Sequence, residues 1–204
     1  MQQRLLTLTL LIATALLAAC SSTRITQSWV APEFAGALPR RPLIIAVTDN
    51  DTTRRAFEDT FSEALGQHGI QSRSSYRLLP GDELQQQAAI NTAITRSGTD
   101  SVLITRLLGV EDREVHHPPS SQMVPAGFGG YYPYYHQSWV IIHEPAYTSS
   151  HRIVALETSL YSSNDELVWS ARTETWDAKS ESRLMKEVIE TVVGKLNSDG
   201  LLEQ

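Results

Sequence analysis

The chain of 204 residues carries 23 acidic against 17 basic side chains, a formal charge of −6, and a single cysteine. An acidic balance argues against a nucleic-acid partner, because gripping phosphates requires clustered Lys and Arg, and against charge-driven docking on anionic lipid. One cysteine excludes an intrachain disulfide, so the fold must be held by its core alone.

Met1 to Arg4 is short, polar and positively charged, and Leu5 to Ala19 is apolar apart from threonines at 7, 9 and 14. That is the profile of a signal peptide, and it stops short of the roughly 20 apolar residues a membrane-crossing helix needs. It ends in Leu17-Ala18-Ala19-Cys20, which resembles the bacterial lipobox. The resemblance implies cleavage between Ala19 and Cys20, a diacylglycerol group on the Cys20 sulfur and an acyl group on the new amino terminus. A thiolate is the best side-chain nucleophile for taking up an alkyl group. A catalytic or an inert buried thiol, the other uses of a lone cysteine, would not explain its place behind an apolar leader. In the lipoprotein sorting scheme of enteric bacteria, Ser21 in place of aspartate implies the outer membrane. The expected location is its periplasmic face in a Gram-negative host.

The expected organisation is a signal peptide over 1–19, a lipidated tether over 20–42, with Trp29-Val30-Ala31-Pro32 packing on the domain, and one globular domain over 43–204. Leu43 to Val47 is a branched apolar run bounded by Pro42 and Thr48-Asp49-Asn50-Asp51, which predicts a buried strand. Phe57, Phe61, Ala64, Leu65 and His68 share one helical face, with Gly69 as the stop. Ile70 to Tyr76 reads as a weaker strand. Pro80-Gly81-Asp82 turns the chain, and Asp82 is placed to cap a helix from about Glu83 to Ser97 that ends at Gly98. Ser101 to Val110 reads as a central strand.

Ser138 to His143 is a further strand candidate. His151 to Tyr161 and Leu167 to Trp176 both alternate, and Ser162-Ser163-Asn164-Asp165-Glu166 supplies turn chemistry between them, which predicts an antiparallel hairpin. Met185, Val188, Ile189, Val192, Val193 and Leu196 form an apolar stripe at helical spacing, which predicts a closing helix over Ser182 to Leu196. The pattern β-α-β-α-β, then antiparallel strands and a C-terminal helix, gives an α/β fold with an α+β tendency in its second half. Its form is a single mixed sheet with helices packed on it.

No catalytic spacing survives its context: there is no G-x-S-x-G, no phosphate loop and no H-E-x-x-H. His143-Glu144 begins like the last, but Pro145 follows at once. The most unusual stretch is 111–137, rich in Tyr, Gly, Pro and His, read as a long loop of the kind that is functional or disordered. Its Tyr131, Tyr132, Tyr134 and Tyr135 offer rigid contact area with polar tips, suited to a protein or sugar partner. His116, His117 and His136 are weak metal-ligand candidates.

TDSVLITRLL at Thr99 to Leu108 and IVALETSLYSSNDELVWSART at Ile153 to Thr173 resemble a recurring pattern of small envelope lipoproteins. Their α/β architecture is similar to the amino-terminal domain of the Tol-Pal system's periplasmic protein B and to the lipoproteins that activate penicillin-binding proteins. The resemblance implies a non-enzymatic interaction or assembly module without cofactors, held to the membrane by its lipid and contacting another envelope protein or peptidoglycan. Where relatives carry glycine in the hairpin turn, this chain has Ser163-Asn164-Asp165-Glu166. The alternatives are a metal- or small-ligand-binding lipoprotein using the loop histidines and a periplasmic hydrolase with a dispersed site.

Overall fold

The computed structural model describes residues 22–32, 39–80, 86–125 and 139–202. The chain divides into two compact units, one of residues 1–111 with 153–204 and one of residues 112–152.

In the first unit, β1 (Thr23–Val30), β2 (Pro42–Val47), β3 (Arg73–Ser74), β4 (Ser101–His117), β7 (Tyr147–Ser162) and β8 (Leu167–Trp176) form a mixed sheet ordered β1-β8-β7-β4-β2-β3. The chain enters the second unit along β4 and returns along β7. β2 runs parallel to both β3 and β4, as the crossovers through α1 (Asp51–Gly66) and α2 (Gln87–Ser97) require. β8 is antiparallel to β7 and to β1. The α/β fold class expected from the sequence is therefore the one observed.

Strand alternation sorts the core onto both faces. Ile44, Ala46, Leu103, Leu160 and Trp169 pack with Phe57, Phe61 and Leu65 of α1 and with Val188, Ile189, Val192 and Leu196 of α3 (Glu181–Ser198). Leu43, Ile45 and Val102 turn the other way, toward Ala93 of α2. This is why β2 reads as a continuous apolar run: both of its faces are covered. Asn50 Oδ1 accepts from the Thr52 and Thr53 amides to start α1, Ser180 Oγ accepts from the Arg183 amide to start α3, and Gly98 at φ +64° ends α2.

Four expectations change. The tether read over 20–42 contains β1, paired from Thr23 to Val30 along β8. The strand read over Ile70 to Tyr76 shrinks to Arg73–Ser74, because Glu58 captures the Ser75 hydroxyl and the Tyr76 amide and bends the chain into a 3-10 turn. α2 starts at Gln87, since Gln86 is extended, while Asp82 lies outside the described residues. The loop read over 111–137 is strand over much of its length: β4 runs to His117, and β5 (Ser120–Pro125) pairs antiparallel with β6 (Trp139–Glu144) in the second unit. In the hairpin between β7 and β8, Asp165 takes the left-handed position at φ +65° that a glycine would fill.

Candidate functional site

Cys20 and Ala19 lie outside the described residues, but the point where the chain joins the fold is well defined. The Ser22 amide and hydroxyl donate to Glu187 Oε2 at 3.1 and 2.6 Å, and the Ser22 carbonyl accepts from the Trp176 amide at 3.0 Å. The hydroxyls of Thr23 and Thr175 meet at 2.7 Å. Arg183 Nε donates to Glu187 Oε1 at 2.7 Å, one turn away on α3. The Ser22 hydroxyl and the Arg183 guanidinium together hold the buried Glu187 carboxyl below its usual range, outweighing the opposing effect of burial. Periodicity cannot reveal this attachment: β1 buries only Thr23 among its side chains, and it is held by backbone pairing, by Glu187, by the Thr23–Thr175 contact and by an exposed pair of Arg24 with Glu174 at 2.9 Å.

The histidine candidates separate. His116 Nδ1 lies 3.3 Å from Thr148 Oγ1, while His117, its neighbour in the strand, meets Ser149 Oγ at 3.1 Å through Nε2. Successive residues of a strand face opposite sides, so His116 and His117 do not converge on one point. The structure instead brings His151 to the same Ser149 hydroxyl at 2.9 Å, and Tyr147 stacks on His117 with ring centroids 4.3 Å apart. The signal for this trio was the i, i+2 spacing of Ser149 and His151 on one strand. A hydroxyl between two imidazoles can donate to one and accept from the other, which fixes the rings without a metal. His143 pairs separately with Ser121 Oγ at 2.8 Å. Among the described residues no group of three or more His, Cys, Asp or Glu side chains is placed to hold a metal ion. His136, Tyr131, Tyr132, Tyr134 and Tyr135 lie outside the described residues.

The first unit also contains an open apolar cleft of about 260 Å³ at the carboxyl end of β2, lined by Val47, Phe57, Leu107, Leu156, Leu184 and Met185 among others. At its rim Thr53 Oγ1 donates to Glu181 Oε1 at 2.7 Å, joining the first turns of α1 and α3. Behind it, Arg54 and Glu58 form a buried ion pair at 3.1 Å. Both carboxylate oxygens of Glu58 and the Nε and Nη2 of Arg54 are spent on holding the fold, through Ala46, Ser75, Tyr76 and Leu79.

Among the described residues no helix is long and apolar enough to cross a membrane. No protein-family description matches the sequence, and no curated protein does. Among solved structures, the PelC dodecamer from Paraburkholderia phytofirmans is similar at 14% identity and a TM-score of 0.47, covering 89% of this chain and 99% of that one. Lipoprotein GNA1162 from Neisseria meningitidis is similar at 14% identity and a TM-score of 0.41, covering 78% of this chain and 99% of that one.

Proposed function

We propose that the chain is a lipid-anchored lipoprotein of the cell envelope, acting as a non-enzymatic interaction or assembly module at the periplasmic face of the outer membrane. The observation that carries this reading is the place of Cys20. It closes a lipobox-like tetrapeptide and stands two residues before Ser22, where the chain is already fastened to Glu187. Acyl chains on Cys20 would contribute roughly 0.8 kcal/mol per buried methylene, so two or three of them hold firmly where one is marginal. The contact surface of the module is the stretch around Tyr131 to Tyr135, facing another envelope component. The test is mass analysis of the protein purified from its native membrane, paired with fractionation of a Cys20→Ala form. An unmodified thiol, or unchanged membrane association and processing of the variant, would end the reading.

A second reading is a metal- or small-ligand-binding lipoprotein using the loop histidines, of which His117 lies close to His151, the two rings reaching one Ser149 hydroxyl at 3.1 and 2.9 Å. Calorimetric titration with zinc and copper tests it, and no saturable binding below micromolar concentration would remove it.

A further inference from the structure

We infer that the ribbon of β5 and β6 is a second membrane contact, which enters the interfacial layer of a lipid bilayer without help from the acyl group. The inference deepens the reading that this region is a contact surface by naming its partner, and it does not depend on the acylation of Cys20.

The ribbon is unlike the rest of the molecule. About a fifth of the chain's residues are charged, yet no Asp, Glu, Lys or Arg occurs from Pro118 to His143; the ribbon's one acidic residue, Glu144, is the last of β6 and accepts from the Ser120 hydroxyl at 3.0 Å. Met123 stands directly opposite Ile141, and Gln122 opposite Ile142. Adjacent cross-strand pairs point to opposite faces, so Met123 with Ile141 and Ile142 alone occupy different sides of the ribbon. All three are exposed, at 67%, 47% and 49%. Within the described residues β5 and β6 pair only with each other. A two-stranded ribbon is marginal in water even with one buried face, and this one shows apolar side chains on two.

That arrangement separates the possible partners. A single flat protein contact would cover one face and leave the other wet, whereas a fluid apolar medium surrounds both. The missing charges point the same way, because charged residues are the costly ones at the membrane and they are depleted here. The ribbon does not span. Its strands of six residues reach about 20 Å, against the 9–11 residues a spanning strand needs. Its outer backbone groups would also lack partners in hydrocarbon. In the interfacial layer, water and head groups satisfy them while Met123, Ile141 and Ile142 reach the acyl boundary. With no Lys or Arg in the ribbon, binding should not require anionic lipid.

The experiment uses the mature chain, residues 20–204, carrying Cys20→Ala so that no acyl group contributes. It measures co-sedimentation with vesicles of phosphatidylcholine alone, at low and high salt. Binding that is insensitive to salt, weakened about tenfold or more by Ile141→Asp with Ile142→Asp and by Met123→Asp, and retained by Leu78→Asp in the first unit, is the expected result. Far-ultraviolet circular dichroism of each variant confirms that the first unit stays folded. No sedimentation of the parent, sedimentation only with anionic vesicles, or equal binding by the ribbon variants overturns the inference. So does a dimer in light scattering that the ribbon variants convert to monomer, since the ribbon would then be a self-association surface. Because the acyl group is absent throughout, failure here leaves the mass analysis of Cys20 standing, and failure there leaves this result standing.

Discussion

Glu58 offers the sharpest test of how the first unit holds together. Its side chain is 0% exposed and receives four hydrogen bonds: Arg54 Nε, Ser75 Oγ and the Ala46 amide reach Oε1 at 3.1, 2.7 and 3.1 Å, and the Tyr76 amide reaches Oε2 at 2.9 Å. Glu58→Gln keeps the volume but removes the charge, and places an amide nitrogen against at least one donor. Breaking a buried pair from one side costs about 3–5 kcal/mol, because the remaining charge is stranded. Arg54→Met should cost less, since the carboxylate keeps three donors, two backbone amides and a hydroxyl. Replacing both members of a buried pair by apolar residues is often harmless, but not here. Arg54→Met with Glu58→Leu leaves the Ala46 and Tyr76 amides and the Leu79 carbonyl, which accepts from Arg54 at 3.2 Å, without partners. At about 1–3 kcal/mol for each stranded group, the double variant should stay several kcal/mol below the parent. Urea unfolding followed by tryptophan fluorescence gives the three values. A cost below 1 kcal/mol for Glu58→Gln, or a double variant as stable as the parent, would refute the account.

Glu187→Gln weakens charge-assisted bonds to Ser22 and Arg183 and should cost about 1.5–3 kcal/mol near neutral pH. Because the folded Glu187 carboxyl titrates below its ordinary value, its stabilisation is fully present above the unfolded value of about 4.3 and is lost as pH falls through the folded one. The gap between parent and variant should therefore close in acid, and a gap that widens there would contradict it. Glu157→Gln makes the contrast: Arg106, chiefly, and Arg172 depress this carboxyl across three strands, yet both arginines are about half exposed, so the cost in urea should be only about 0–1 kcal/mol. Trp169→Ala removes a fully buried indole whose Nε1 donates to Asp199 at 2.8 Å, and a loss of about 3–5 kcal/mol is expected in the same assay.

What could be read ahead of the structure is what one periodicity carries. The stripe from Met185 to Leu196 and the doubly buried run of β2 needed only their own residues to be recognised, and both are where the spacing puts them. β1 was hidden because it has almost no apolar inner face: it lies at the sheet edge and is recruited by the exposed backbone of β8. β3 was overestimated for a related reason. A carboxylate on the preceding helix outbids the ladder for the Tyr76 amide, and no local pattern reports that competition. The i, i+4 spacing of Arg54 and Glu58 was visible, but on a helix it describes an ordinary surface pair, and only the layer formed by Ser75 and Leu79 makes it a buried one. The proline and histidine content of 111–137 concealed real strands, because His116 and His117 act there as strand residues paired to Thr148 and Ser149.

The attachment of Ser22 to Glu187 limits what an anchored form of this protein could do. A lipidated tether of some twenty residues would allow about 70 Å of reach, whereas the single residue between Cys20 and Ser22, two steps along the chain, allows only about 7 Å. An acylated Cys20 would then hold the corner formed by β1 and α3 at the lipid surface. The length of Ser22's hold decides between the two pictures, and it can be lengthened by design. In Glu187→Ala the amide and hydroxyl of Ser22 lose their acceptor, and amide exchange over Thr23 to Ile25 should rise about tenfold or more, one factor of ten for each 1.4 kcal/mol lost locally. Exchange along the rest of β8 should be unchanged. If the first residues of β1 exchange equally fast in the parent, the strand is already loose there, and the short leash argued from Ser22 does not exist.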